Sequence, residues 1–262
     1  MIEVTLHEER RHDLPVLAIP AFRSLGIDAF LTTREGGVSA PPYDTLNLGQ
    51  HVGDDPAAVS ENRRRVALAA GVAPEQLLFT DQVHGAVVND ADQPGPFRGD
   101  ALVSRRDDRA LAIMTADCIP LLLADETAVA VVHAGWRGLA AGILPAAVSA
   151  FADPAAVHVF LGPAISPRIY QVGPDVAEVF AHIPDIMVPD ESANDERWLL
   201  DLHAIAATQL TSAGVHEEHL LRSVHHTDGG RLFFSDRAQR PCGRFALVAR
   251  RATYDEMVEA EA

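Results

Sequence analysis

Short apolar runs and amphipathic stretches follow one another along the chain in no regular order. IDAFLTT, ending at Thr33, reads as the first strand. The REGGVSAPPYDTLNLG that follows, dense in Gly, Pro, Ser and Asn, reads as a long ordered loop of the kind that often carries function. DDPAAVSENRRRVALAAG predicts a helix capped by Asp55, opened by Pro56 and ended by Gly71 in a left-handed conformation, with Arg63, Arg64 and Arg65 on a solvated face. Between Gly99 and Ala134 the runs DALVS, ALAIMTA, IPLLLAD and AVAVVHA predict buried strands. Beyond them, GLAAGILPAAVSAFA predicts a helix despite Pro145, VHVFLG a strand, DVAEVFAHI and LDLHAIAATQLTSAG amphipathic helices, and RLFFSD with GRFALVARR a closing pair of strands. Strands and helices mix without βαβ alternation, which predicts an α+β fold. No linker, repeat or low-complexity tract divides the chain, so one domain is expected over 1–262.

Composition narrows the function. With 48% hydrophobic and 22% charged residues the chain can build a sizeable core, which excludes disorder as its main state. Its 21 Lys and Arg stand against 37 Asp and Glu, a net charge of −16, so a broad basic face for nucleic acid is not expected. The longest apolar stretches fall short of the roughly 20 residues that a membrane span needs. The N-terminal MIEVTLHEERRHDLP has charges of both signs and no apolar core, so a cytoplasmic protein is expected. Two cysteines make no disulfide framework, and each is judged alone as a buried thiol, a metal ligand or a nucleophile.

Three segments place a metal-capable or nucleophilic side chain beside glycine or charge at a predicted strand edge: DQVHG at 81–85, TADC at 115–118 and HAGWRG at 133–138. Adjacent strands could bring Cys118 and His133 to one sheet end, with His84 arriving from an earlier hairpin. Two imidazoles and a thiolate fill three corners of a zinc tetrahedron and leave the fourth open, as in catalytic zinc. A metal-free alternative makes Cys118 a nucleophile, His133 its base, and Asp117 or Asp125 the group that orients the imidazole. The spacing leaves both open.

These segments, with TTREGGVSAPPYDTLNLGQHVGDDPAAVSENR, GDALVS, TADCIPLLLAD, VHAGWRGLAAGI, LGPAISPRIYQVGPDV, LDL and FFSDR, cover most of the chain. In that order they resemble the YfiH family, whose members are called laccase-like multicopper polyphenol oxidases, laccase-domain purine nucleoside phosphorylases or peptidoglycan editing factors. The resemblance implies a layered α/β/β/α sandwich of mixed sheets flanked by helices, and a catalytic metal set on His84, Cys118 and His133. It also implies phosphorolysis of adenosine, inosine and methylthioadenosine, with adenosine deaminase activity beside it. Zinc is the expected ion and copper the other candidate; the partners are nucleoside and phosphate. Fitted to that chemistry, Arg137, flanked by Gly135 and Gly138, offers phosphate a planar fork. Asp117 could shuttle protons for deamination or, as the preferred reading, bond a ligand histidine. Asn47, Arg34 and Gln82, in loops expected to border the pocket, could bond base or ribose. The chain departs from the family where His226-Thr227 stands for Cys-Thr and where FFSDRA puts Asp236 and Ala238 in place of tyrosine and arginine.

Two other enzyme functions carry the family's names. Copper oxidation would take Met114 as a weak fourth ligand, but multicopper oxidases need further histidines in paired H-x-H motifs, and none occurs. A cell-wall editing hydrolase would use Cys118 as its nucleophile. A non-catalytic alternative is a module in which the triad braces the fold.

Overall fold

Alternating burial along single strands sets the layers. In Ile119–Ala124 every residue is buried, but Leu121 and Leu123 face one apolar cluster while Leu122 and Ala124 face another. The first cluster joins one face of a seven-stranded sheet to the helices Trp136–Ala141, Ile143–Val148, Pro174–Phe180 and Leu202–Ser212. The second fills the space between that sheet and a six-stranded sheet, through Leu102, Val131 and Phe160 on one side and Leu31, Ile113 and Leu247 on the other. A third covers the outer face of the six-stranded sheet with the helix Pro56–Ala69 and the Leu46 to Leu48 loop. The architecture is α/β/β/α, as expected. The computed structural model describes residues 1–252; positions 253–262 of the expected domain lie outside the described residues.

Both sheets are mixed. The larger runs Ile2–Val4, Leu220–Ser223, His158–Leu161, Ile119–Ala124, Val129–Ala134, Ala101–Ser104 and Val88–Asp90, parallel at its two ends and antiparallel in the middle. The smaller runs His7–Arg11, Leu14–Ala18, Ile27–Thr32, Phe245–Arg251, Ala110–Thr115 and Leu77–Leu78. A three-stranded sheet, Gln171–Val172, Trp198–Leu200 and Met187–Pro189, lies outside both. No helix among the described residues is long and apolar enough to cross a membrane.

The predicted helix over GLAAGILPAAVSAFA is two helices. Gly142 takes φ +85°, a left-handed conformation that ends the first, and the second starts at Ile143. Pro145 therefore falls in a first turn, where its missing N–H costs nothing. Of the closing pair, Phe245–Arg251 is a strand between Ile27–Thr32 and Ala110–Thr115, whereas 231–236 is irregular, held by burial of Phe233 and Phe234. Asp55 caps its helix as expected, its carboxylate accepting from Ala57 N–H at 2.9 Å.

Phe160 is fully buried between the sheets. Phe160→Ala should lower unfolding free energy by about 3–5 kcal/mol in urea denaturation, whereas Val224→Ala, at an exposed position, should stay within about 0.5 kcal/mol of the parent.

Candidate metal centre

Where the chain crosses between sheets, it builds the site. Ala110–Thr115 belongs to the smaller sheet and Ile119–Ala124 to the larger, so Ala116, Asp117 and Cys118 form the link. Thr115 Oγ1 closes this turn by donating to the Cys118 carbonyl at 2.7 Å. Asp117 adopts φ +91°, a conformation L residues avoid, and is held there by three donors. Its Oδ1 accepts from Thr227 Oγ1 at 2.5 Å and Ser235 Oγ at 2.7 Å, and its Oδ2 from Arg237 N–H at 2.7 Å.

His133 sits near the end of Val129–Ala134, paired with Pro120 in the antiparallel register, which sets its ring beside Cys118. His84 comes from a bend at φ +59° rather than from a hairpin. One buried carboxylate ties the two together. Asp100 Oδ1 lies 2.9 Å from His133 Nδ1 and accepts from His84 N–H at 2.9 Å; its Oδ2 accepts from Gly85 N–H at 2.7 Å and Val83 N–H at 3.3 Å. The Asp100 carbonyl accepts from His133 N–H at 2.7 Å as well. Burial would raise the Asp100 carboxyl, but the His133 ring and these N–H donors outweigh it and hold it low.

The donor atoms of His84, Cys118 and His133 lie within 4.8 Å of one another, and the two rings meet edge to face at 4.7 Å. Closeness on this scale needs Gly135: a Cβ there would stand 2.6 Å from Cys118 Sγ and 3.4 Å from His84 Cδ2. Burial works against charge on both central groups, yet their mutual attraction prevails. The Cys118 thiol is brought down to about 6 by His133 and His84, and His133 is raised to about 9 by Cys118 and Asp100. With His133 Nδ1 committed to Asp100, Nε2 is the nitrogen left for a metal or for Cys118. Two imidazoles and a pre-ionised thiol fit zinc or Cu(I), and the carboxylate behind His133 is the outer partner such ligands have.

A cavity of about 430 Å3 opens onto these three side chains and is also lined by Trp136, Arg137 and Tyr170. A larger one, about 560 Å3 between Arg11, Asp28 and Gly71, has none of the three donors, so donor chemistry selects the smaller.

A family model described as multi-copper polyphenol oxidoreductase laccase matches residues 28–252. The chain belongs to this family. A Pseudomonas aeruginosa relative named purine nucleoside phosphorylase is 44% identical, over 85% of this chain and 92% of its own. The Escherichia coli K12 relative, purine nucleoside phosphorylase YfiH, is 41% identical over 84% of this chain and 92% of its own. The crystal structure of YlmD from Geobacillus stearothermophilus superposes with a TM-score of 0.84 at 32% identity, covering 95% of this chain and 99% of that one. That of Neisseria meningitidis NMB0706 gives 0.79 at 37%, covering 87% and 95%.

Within this laccase-like member, the other expected site residues divide. Arg137 lies exposed on the cavity wall. Gln82 lines the cavity too, but its amide is engaged by the Met114 backbone, donating to the carbonyl at 2.7 Å and accepting from the N–H at 2.9 Å. Asn47 is fully buried and braces a loop: Oδ1 accepts from Gly49 and Arg244 N–H, and Nδ2 donates to Gly49 O and Asp54. Arg34 binds Asp44, lies over the Phe234 ring and faces a different cavity. Neither reaches the site. Asp117 and Asp125 do not orient a histidine; Asp117 binds the 227–237 segment, and Asp125 closes a turn through Thr127 and Ala128. Asp100 does that work. Sequence reasoning passed over it, although a single acid opening the apolar run DALVS is a signal, since a buried charge needs partners. Arg63 is not on a solvated face: it donates to Leu48 O and lies 4.0 Å over Phe79, and burial lowers it to about 10. Of the departures, Asp236 lines the cavity and pairs with Arg240 and Arg244.

In metal-free protein the Cys118 thiolate should be present at neutral pH and disappear as pH falls through about 6, read by ultraviolet absorbance or alkylation rate. Cys242, whose thiol burial pushes up, should react slowly throughout. Asp100→Asn should weaken zinc binding by about 10–100-fold in chelator competition.

Proposed function

We propose that this chain is a zinc-dependent purine nucleoside phosphorylase acting on adenosine, inosine and methylthioadenosine, with adenosine deaminase activity beside it. The observation that carries the reading is the convergence of His84, Cys118 and His133 on a cavity of ligand size, about 430 Å3. The relatives' names supply the reaction. In phosphorolysis a phosphate oxygen bonds C1′ of the ribose while the bond from C1′ to N9 breaks. The electron pair leaves with the purine, which takes up a proton.

Residues of the cavity wall suit each requirement. Trp136 and Tyr170 offer aromatic faces for a base. Arg137 offers a fork to phosphate oxygens. Asp117 supplies a cavity-wall carboxylate for the proton transfer that deamination needs. Bound by His84, Cys118 and His133, a divalent ion would supply Lewis acidity beside these groups. The donor set favours zinc, with copper as the other candidate; among the described residues it is the one such group, which supports neither a multicopper centre nor polyphenol oxidation. A reducing cytoplasm would keep a thiol ligand intact, and we place the protein there. We also propose a single domain over 1–262, a reading that the layers built by the described residues support.

A second reading has its own observation: Cys118, His133 and Asp100 stand in nucleophile, base and orienter order, with His133 Nδ1 2.9 Å from Asp100. An editing hydrolase of cell-wall precursors would use that order without phosphate.

Purified protein should release hypoxanthine from inosine only when phosphate is added. Cys118→Ala and His84→Ala should each lower kcat/KM by about 100-fold or more, the loss of several kcal/mol of charge stabilisation. Release of an amino acid from a misbuilt muramyl precursor without phosphate, and no hypoxanthine, would replace this reading with the second. Metal analysis of protein purified without added metal should find zinc.

A further inference from the structure

Four arginines, Arg137, Arg237, Arg240 and Arg244, line the cavity of a chain whose net charge is −16. Two of them share one carboxylate: Arg240 and Arg244 both pair with Asp236. The other two have no carboxylate partner among the described residues. Arg137 makes no hydrogen bond to protein among the described residues, and its Cζ lies 4.3 Å from the centre of the Trp136 ring. Arg237 lies 5.4 Å over the Tyr170 ring and reaches only the carbonyls of Ile169 and Gln171, at 3.4 and 3.3 Å. Stacking on a ring fixes a guanidinium in place and leaves its charge uncancelled.

Tyr170 links the pair. Its ring is half-buried in the cavity wall, and its hydroxyl has no protein partner among the described residues. Arg137 and Arg237 line the same cavity, and burial together with Cys118 pushes this phenol up to about 12 against the two arginines, so it stays a donor at neutral pH. Two unneutralised forks and one hydroxyl donor thus share one wall. The segment that carries Arg237 is anchored by its backbone, through Arg237 N–H to Asp117, so the side chain can change while the segment stays in place.

We propose that Arg137, Arg237 and the Tyr170 hydroxyl form a subsite for a phosphate dianion, occupied by inorganic phosphate. The subsite rests on these residues; the identity of its occupant rests on the phosphorylase reading. Each fork can give two parallel N–H bonds to phosphate oxygens, and the hydroxyl a third contact.

The test is calorimetric titration with inorganic phosphate, and separately with a nucleoside 5′-monophosphate. Inorganic phosphate should bind saturably, weakened about tenfold or more in Arg137→Gln and in Arg237→Gln, and about threefold or more in Tyr170→Phe. Arg105→Gln, outside the cavity, should bind as the parent does. Arg237→Gln that weakens neither inorganic phosphate nor the monophosphate overturns the subsite, as does equal weakening in Arg105→Gln, which would make the effect one of general charge. If Arg237→Gln weakens the monophosphate and not inorganic phosphate, orthophosphate is overturned as the occupant. Binding is read without turnover, so the two proposals separate. The expected binding pattern in protein inert on inosine upholds the subsite and rejects the phosphorylase reading. Inosine phosphorolysis whose KM for phosphate is unmoved in Arg237→Gln does the reverse.

Discussion

Asp100 is a fully buried carboxylate, and the site exists because its cost of burial is offset by its partners. Two of its donors are backbone N–H groups of His84 and Gly85, and another is the His133 ring. A bend in one part of the chain and a strand end in another are thereby fastened to a single point. Without it, His84 would depend on a loop with a left-handed residue and little else. With it, the donor atoms of both histidines and Cys118 are gathered within 4.8 Å. The Asp100 bonds are made by folding, so the ordering entropy of the His84 bend and the His133 ring is part of the folding balance.

Packing explains why such a point can be rigid. His133 lies in one strand and Cys118 directly precedes another, and every residue of both strands is buried between the helix layer and the second sheet. Cys118 lies in the link where the chain leaves one sheet for the other, so any change of spacing between the sheets would be felt there. Gly135 sets the tolerance, since even a methyl group at that position would collide with the sulfur. Asp117 then extends the same frame outward, pinning the segment that carries Arg237 against the cavity.

Local signals in the sequence sufficed for much of this. Apolar runs between Gly99 and Ala134 gave the central strands, and Asp55, Pro56 and Gly71 gave one helix with both its ends, because those effects act over a few residues. The three metal-capable side chains were legible as residues at strand edges, and their grouping only as a possibility. Long-range partners were the part not legible. Asp100 bonds His133 across 33 positions and Asp117 meets Ser235 across 118, distances over which spacing carries no information. Asn47 and Arg34 looked like ligands for a substrate because loop polarity does not reveal which polar atoms the loop itself uses. Arg63 shows the same limit: within a run of three arginines on a polar helix face, one can lay its guanidinium over Phe79. The closing RLFFSD run is apolar enough for a strand but has no sheet partner among the described residues, its Leu232 carbonyl accepting instead from Arg34 N–H.

Cobalt(II) titration of metal-free protein tests the gathered donor set most directly, because thiolate ligation and low coordination number each have their own absorption signature. One equivalent should produce a sulfur-to-cobalt charge-transfer band in the near ultraviolet together with intense visible bands of a four-coordinate ion. Cys118→Ser should abolish the first, and His84→Ala should weaken both. Only weak bands of a six-coordinate ion, or a charge-transfer band that survives in Cys118→Ser, would contradict a centre made by His84, Cys118 and His133.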